Sequence, residues 1–437
     1  MLEDPLGIDR ELRAVTRSLE SFRAALHAGR GEDHAFELHG RRVSRELIGE
    51  LGDNLADPLA PALLRTAAHL FEEHALVELH VLHAAALRVT RHPLDAPERG
   101  EFTLRALLGH ALSDSKGQRS AWLRILLERA EPATDLALRR AERRAEVRAS
   151  LSERVPAAFF EGGAPVLEVA HRFLDASRSA FATLGVETLA DVLAAGLGRD
   201  SRAEWPARVS ARSVAELFRE GRFAEFVTDT PDFGVPALGA SSFLRALFRF
   251  GAALRSGLAG ERGPFVLARD PYGFDRATFG ALFALLPAND AFARGVLGVG
   301  APGAADHRRS LARVLLVASR EAALRALLHD ASFAGRRALE RAYSEQSFDA
   351  LGVELGPSGF GVVFTPRPSD PARLAGLFVA TDFAARLVDE HDEDWYRNPR
   401  AVEEIRETGR LPAATTPEPE ALERGSNALL RSIEAAL

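Results

Sequence analysis

Apolar residues recur three and four positions apart along most of this chain, which is the pattern of helices with one buried face. Ser213 and Glu216 have the spacing of a capping box, which would open one more helix. The pattern predicts a mainly α, multi-helical fold. The segments with the clearest helical period are Leu12–Leu26, Leu59–Val89, Leu104–Leu112, Ala121–Leu151, Val166–Leu184, Ser242–Leu254, Ala277–Leu286, Ser310–Leu328, Arg337–Ala350 and Pro371–Leu387.

Three short apolar stretches are predicted as strands instead. They are Ala35–Leu38, Pro264–Ala268 and Gly361–Thr365. Glycine and proline bound the last two, as is typical of short edge strands or hairpin pieces. We expect two helical units, an N-terminal domain over residues 1–155 and a larger domain over residues 156–437.

Composition narrows the class of protein. The 437 residues are 46% hydrophobic and 27% charged, which is ordinary for a globular protein with a full core. The formal net charge of −7 gives no field that would attract nucleic acid or an anionic membrane. The absence of cysteine excludes disulfides, thiolate metal sites and thiol nucleophiles. The use of arginine with a single lysine, Lys116, indicates a GC-rich bacterial genome rather than a function.

The sequence also predicts a location. The chain begins with acidic residues and no apolar signal segment, and it contains no run of about 18 apolar residues. A cytoplasmic protein is therefore expected.

The segment His69–His83 holds four histidines and three glutamates in fifteen residues. At about 100° per residue, His69, Glu73, His80 and His83 fall on one face of a helix, within an arc of about 100°. The spacings i, i+4 and i, i+3 allow chelation from one helix face, so these four residues are the candidate metal ligands. The alternative is a polar helix face that is solvated or packs against another polar surface.

Three other motifs have simpler interpretations. The segment Arg139–Arg148 interleaves arginine with glutamate, which indicates a solvated, self-paired helix face. Residues Gly298–Gly303 match the spacing of a dinucleotide-binding loop, but they follow a predicted helix rather than a strand, so they are interpreted as a glycine-rich loop. Asp389–Asp394 lacks the alternating ligands and glycine of a calcium loop, and it is interpreted as an exposed helix end.

The C-terminal region resembles a known family. A helix over Arg373–Leu387 leads into Asp392-Glu-Asp-Trp395-Tyr-Arg397-Asn-Pro-Arg400. This resembles the C-terminal end of the helical zinc metallopeptidases of the thimet oligopeptidase and oligoendopeptidase F type. Ser213–Phe223 and the helices of His39–Leu151 are similar to other parts of these relatives. The resemblance implies a multi-helical ellipsoid with a central cleft, a few short edge strands and a zinc ion held by H-E-x-x-H and a downstream glutamate.

The chain departs from that family at the motif itself. It contains no His-Glu dipeptide, so H-E-x-x-H cannot occur. Between Phe233 and Glu340, where the motif would fall, the histidines are His307 and His329, and neither precedes glutamate. Ala375–Phe378 and Ala380 stand where polar residues near the cleft would be expected. None of the catalytic residues of the family can be assigned to this sequence.

Three functions follow as hypotheses. The first is a catalytically inactive, peptidase-like protein that binds a peptide or protein partner, as a dimer or beside an active paralogue, with no cofactor. The second is a zinc-dependent peptidase or hydrolase that uses His69, Glu73, His80 and His83. The third is a purely structural, helical interaction protein.

Overall fold

Most of the described residues lie in helices. The computed structural model describes residues 2–27, 35–89, 102–103, 116–156, 163–198, 214, 216–218, 223–227, 240–260, 263–356, 359–414 and 416–437. Its α-helices are numbered here in chain order. They are α1 Pro5–His27, α2 Ala35–Gly40, α3 Arg45–Asp53, α4 Ala60–His74, α5 Val77–Ala86, α6 Lys116–Arg129, α7 Glu131–Leu151, α8 Ala164–Ala176, α9 Arg178–Ala182, α10 Leu189–Leu197, α11 Ala240–Ala259, α12 Phe265–Ala268, α13 Phe274–Ala284, α14 Asp290–Gly295, α15 Ala304–Ala331, α16 Arg336–Leu351, α17 Asp370–His391, α18 Pro399–Arg410 and α19 Pro419–Ala436.

Short elements connect some of these helices. Arg88–Val89 and Phe102–Thr103 form a two-residue antiparallel strand pair. Phe360–Phe364 is a turn of π-helix, and the 3₁₀ turns are Phe223–Phe226, Leu286–Ala288, Ala301–Gly303 and Ser332–Ala334.

The predicted mainly α, multi-helical fold is confirmed. Three of the long predicted helices are each divided. The Val166–Leu184 segment breaks at Ser177, between α8 and α9. The Leu59–Val89 segment breaks at Ala75 and Leu76, between α4 and α5, and the Ala121–Leu151 segment breaks at Ala130, just before Pro132. Proline fits the first turn of a helix, so Pro132 lies in the first turn of α7 and does not continue α6. The predicted helix at 104–112 and the capping serine at 213 lie outside the described residues.

The three predicted strands are wrong. Ala35–Leu38 lies in α2, Pro264 precedes the short helix α12, and Gly361–Thr365 overlaps the π-helical turn. A short apolar run is the same signal for a buried strand and for a buried helical turn. All side chains of Phe360–Phe364 are buried, which explains why that run shows no polar face.

The described side chains form three main hydrophobic cores. The N-terminal core is formed by α1 to α4 with Val147 and Leu151 of α7. In the central core, two groups of helices pack together. One group is α6, the first half of α7 and α8, and the other is α15, α16, α17 and α19. The C-terminal core packs α11 and α13 against α17, Trp395 and α18. The domain boundary near residue 155 stays a prediction, and so does the central cleft.

Glycines bring several helices into backbone contact. A Cβ atom built at Gly251 of α11 would lie 2.2 Å from the carbonyl oxygen of Phe279 in α13. A Cβ at Gly376 of α17 would lie 2.7 Å from the backbone nitrogen of Thr278, and one at Gly425 of α19 would lie 1.8 Å from the carbonyl oxygen of Phe378. Real Cβ contacts do not occur at these distances, so α11, α13, α17 and α19 approach as closely as they do because these positions have no side chain.

Within the described ranges, no helix combines the length and the apolar character needed to cross a bilayer.

Candidate functional site: a buried arginine–glutamate–histidine cluster

The polar stripe of His69–His83 is carried by two helices rather than one. His69, Glu72 and Glu73 are buried on α4, whereas His80 and His83 follow the break on α5. The two helices nevertheless keep these groups together, because the Glu73 Oε2 atom lies 3.3 Å from the His80 Nε2 atom. The stripe therefore faces the protein interior, and a solvated helix face does not describe it.

Two arginines of α7 contact the glutamates of this stripe. Arg144 Nε donates to Glu72 Oε1 at 2.5 Å, and Arg148 Nε donates to Glu72 Oε2 at 2.5 Å. Arg144 Nη2 also donates to Glu73 Oε1 at 3.2 Å. With both carboxylate oxygens of Glu72 in charge-assisted hydrogen bonds, this helix pair is joined by a buried ionic contact.

The prediction that Arg139–Arg148 is a solvated face is therefore wrong for half of the segment. Arg139 and Arg143 are exposed as expected, but Arg144 is 2% exposed and Arg148 is 6% exposed. The two buried arginines are four residues apart, so they share one face of α7. That face points toward α4, where Glu72 and Glu73 balance the arginine charges.

Glu73 contacts basic side chains on three elements. Arg23 Nη2 of α1 lies 2.8 Å from Glu73 Oε2, in addition to Arg144 and His80. Burial alone would raise the pKa of Glu73, but Arg23 and His80 outweigh it and hold the pKa well below its usual range. Glu73 is therefore an ionised carboxylate whose oxygens are already engaged.

His69 and His80 are neutral at physiological pH. Burial lowers the pKa of His69 to about 4, and the nearby charge of Glu73 only partly opposes this effect. Burial, together with Arg140, lowers the pKa of His80 to about 4 as well. The His69 ring packs edge-on against Tyr272, with the ring centroids 5.2 Å apart.

His83 has both ring nitrogens in contact with protein groups. Nε2 lies 3.0 Å from the carbonyl oxygen of Gly361, and Nδ1 lies 3.2 Å from Arg140 Nη1. An arginine can only donate, so Nδ1 accepts and the proton resides on Nε2, which donates to Gly361. Burial and Arg144 lower the pKa of Arg140 to about 9. His83 thus links α5 to α7 and to the π-helical turn.

This arrangement bears on the metal prediction for His69, Glu73, His80 and His83. Among the described residues, a set of three His, Asp or Glu ligand atoms within 4.8 Å of one another occurs at Glu390, His391 and Glu404, not at these four. Glu73 already contacts Arg23 and Arg144, and both ring nitrogens of His83 contact protein groups. Metal binding by the stripe stays a prediction.

The Glu390, His391 and Glu404 group lies where α17 ends and α18 runs past it. His391 Nε2 lies 2.8 Å from Glu404 Oε2, and Arg386 Nη1 lies 2.5 Å from Glu404 Oε1. Burial would raise the pKa of Glu404, but His391 and Arg386 lower it overall. Since an arginine already neutralises Glu404, the group is an ion-pair network at the surface. The acidic residues of Asp389–Asp394 are exposed, as the sequence predicted.

The two histidines between Phe233 and Glu340, His307 and His329, are buried. His307 Nε2 lies 3.0 Å from the carbonyl oxygen of Pro287, and the His329 ring packs against Phe333 with centroids 5.1 Å apart. Ala375 and Phe378 of α17 are buried in the central core. This face of α17 is therefore part of the hydrophobic core.

Sequence reasoning found the glutamate and histidine members of the cluster but missed its arginines. Arg144 and Arg148 are separated from Glu72 by more than 70 positions, and no local pattern pairs them. The available signal was the four-residue spacing of Arg140, Arg144 and Arg148, which places three cations on one face of a helix.

The fold and the cluster define a mainly α protein with a buried ionic contact between helices. No protein-family description matches the chain, and no curated protein matches it. Among solved structures, the crystal structure of oligoendopeptidase-F from Enterococcus faecium is similar to this chain at 11% sequence identity and a TM-score of 0.45. The alignment covers 99% of this chain and 97% of that one. The likeness is distant and assigns no activity to this protein.

Proposed function

We propose that this protein is a catalytically inactive, peptidase-like protein that binds a peptide or a protein partner. The observation that carries the proposal is the absence of any His-Glu dipeptide in the sequence. In the resembling peptidases, H-E-x-x-H supplies two histidine ligands of zinc and the glutamate that acts as general base. A chain without a His-Glu dipeptide cannot contain this motif.

The described structure adds two supporting observations. The glutamates and histidines that could replace the motif are held by arginines, as at Glu72 and Glu73. The helix face that would carry polar cleft residues in the resembling family, around Ala375 and Phe378, is closed by hydrophobic packing. Both observations favour a scaffold without zinc chemistry. A dimer or a complex with an active paralogue belongs to the same proposal.

The test begins with metal content and proteolysis. The purified protein is dialysed, its zinc is measured by elemental analysis, and a mixed peptide library is incubated with it in the presence and absence of a chelator. We expect substoichiometric zinc and no cleavage that the chelator abolishes. Stoichiometric zinc together with chelator-sensitive cleavage would overturn the proposal.

A binding assay separates the proposal from a purely structural protein. Labelled members of the same library are titrated by fluorescence anisotropy, with scrambled peptides as controls. Saturable, sequence-dependent binding is expected. If no peptide binds and size-exclusion chromatography shows a single species without a partner, the structural alternative is favoured.

The metal-dependent alternative has its own discriminating variant. If zinc is found, the double substitution His80→Ala and His83→Ala is compared with the natural sequence at equal protein concentration. Unchanged zinc content would show that the stripe is not the site.

A further inference from the structure

A small cavity with basic walls lies beside the buried cluster, between α1, α4 and the segment that joins α12 to α13. Its volume is about 30 Å³. The polar side chains that line it are Thr16, Glu20, Arg23, Thr66, His69, Arg269 and Arg276. His69 is also a candidate ligand in the metal-dependent hypothesis, but the cavity itself enters none of the functional hypotheses above.

Several polar atoms of the residues that line the cavity lack hydrogen-bond partners among the described residues. They are Thr66 Oγ1, His69 Nδ1 and Arg276 Nε. Thr66 is 3% exposed and His69 is 5% exposed, so bulk water does not satisfy them. Buried polar groups almost always have a partner, and three such atoms around one cavity indicate that something polar occupies it.

The charges of the cavity wall do not balance. Arg269 pairs with Glu20, and Arg23 pairs with Glu73. In the part of the chain that the structure describes, Arg276 has no carboxylate within ion-pair distance. Burial, together with Arg269, lowers the pKa of Arg276 to about 10, and the carboxylates of Asp275, Glu20 and Asp270 only partly oppose this effect.

The volume limits the occupant. A cavity needs about 10–15 Å³ to hold one water, so this cavity has room for a small polar group but not for a large ligand. A carboxylate has three heavy atoms, whereas a tetrahedral phosphate or sulfate has five. The planar guanidinium of an arginine can also form two parallel hydrogen bonds with a planar carboxylate, which it cannot form with a water molecule.

We propose that this cavity is a carboxylate-binding site, in which Arg276 supplies the counter-charge and Thr66 and His69 supply hydrogen bonds. The carboxylate belongs either to a small free acid or to the C-terminus of a peptide. The site does not depend on whether the protein is an inactive peptidase, because the argument uses only the cavity and its walls.

The experiment measures carboxylate binding to the full chain. Acetate is titrated against the protein in a carboxylate-free buffer, and the melting temperature is compared with that in chloride of equal ionic strength. We expect acetate to raise the melting temperature in a saturable way, and by more than chloride does. Phosphate should cause no such rise in the melting temperature. If acetate and chloride have equal effects, the cavity holds only water and the proposal is overturned.

Variants assign the effect to the cavity. Arg276→Gln should weaken acetate binding by about 10-fold or more, since a hydrogen bond to a charged group contributes about 1.5–3 kcal/mol. Thr66→Val keeps the shape of the side chain and should weaken binding less. Arg17→Gln, at an exposed arginine of α1, is the matched control and should leave the acetate affinity unchanged. Equal acetate affinity in all three variants would overturn the assignment.

Two peptides identify the source of the carboxylate. One has a free C-terminus and the other carries a C-terminal amide in the same sequence. Competition with acetate by the free form alone supports a peptide C-terminus as the natural occupant. If neither peptide competes while acetate still binds, a small free acid is the occupant.

Discussion

Acid should destabilise this protein through His69, a buried histidine that carries no charge in the folded state. The perturbation is a decrease of pH from about 7 to about 4.5, applied to the natural sequence and to a His69→Gln variant. The folded pKa of His69 is lowered to about 4 by burial, while the unfolded chain has an ordinary histidine pKa of about 6.5. The unfolded state therefore binds a proton first, and the stabilisation present above pH 6.5 is lost as the pH falls toward 4.

The size of the effect follows from the two pKa values. At about 1.36 kcal/mol for each pKa unit, the full contribution of His69 is about 3 kcal/mol. About 2 kcal/mol of it is lost between pH 7 and about pH 4.5, because at the lower pH the unfolded histidine is protonated and the folded one is mostly not. His69→Gln removes this titration, so the variant should lose about 2 kcal/mol less than the natural sequence over the same range.

Urea unfolding followed by circular dichroism measures the free energy at each pH. The buffer must contain no carboxylate, so that binding near Arg276 does not contribute. His171→Gln, at an exposed position of α8, is the matched control. Parallel pH profiles for the natural sequence and His69→Gln would refute the reasoning, because they would show that His69 binds its proton equally in the folded and unfolded states.

Two further predictions concern stability at neutral pH. Glu72→Gln should lower the free energy of unfolding by about 3–5 kcal/mol, because it leaves two buried arginines without their main counter-charge. Urea unfolding measures this free energy. The control Glu78→Gln, at the exposed face of α5, should change it by less than about 0.5 kcal/mol. Gly425→Ala should lower the melting temperature sharply or prevent folding, because the new Cβ atom would overlap a backbone carbonyl oxygen. Gly356→Ala is the control, and it should leave the melting temperature unchanged because the space around Gly356 is open. Equal melting temperatures for the two alanine variants would contradict the backbone contact.

The helical fold was accessible from sequence because the hydrophobic period extends over long segments. The helix break at Ala75 and Leu76 could not be predicted from sequence, because neither residue is a glycine or a proline and the apolar period continues through the break. The run Phe360–Phe364 was assigned wrongly because a fully buried turn has no polar face to reveal its period.

The candidate site divides in the same way. The angular grouping of Glu73 with His80 could be calculated from spacing alone, and the two residues do lie together. Their burial could not be calculated, because it depends on Arg144 from a helix about 70 positions away and on Arg23 from the first helix. Charge patterning within one segment indicates self-pairing, whereas pairing between segments is decided by tertiary packing.

The glycine contacts among α11, α13, α17 and α19 have a mechanical consequence. Where backbone touches backbone, no layer of side chains exists that could change rotamers and let one helix slide along another. These four helices should therefore move as one rigid body. A conformational change that accompanies partner binding would then take place in other parts of the chain and leave this block unchanged.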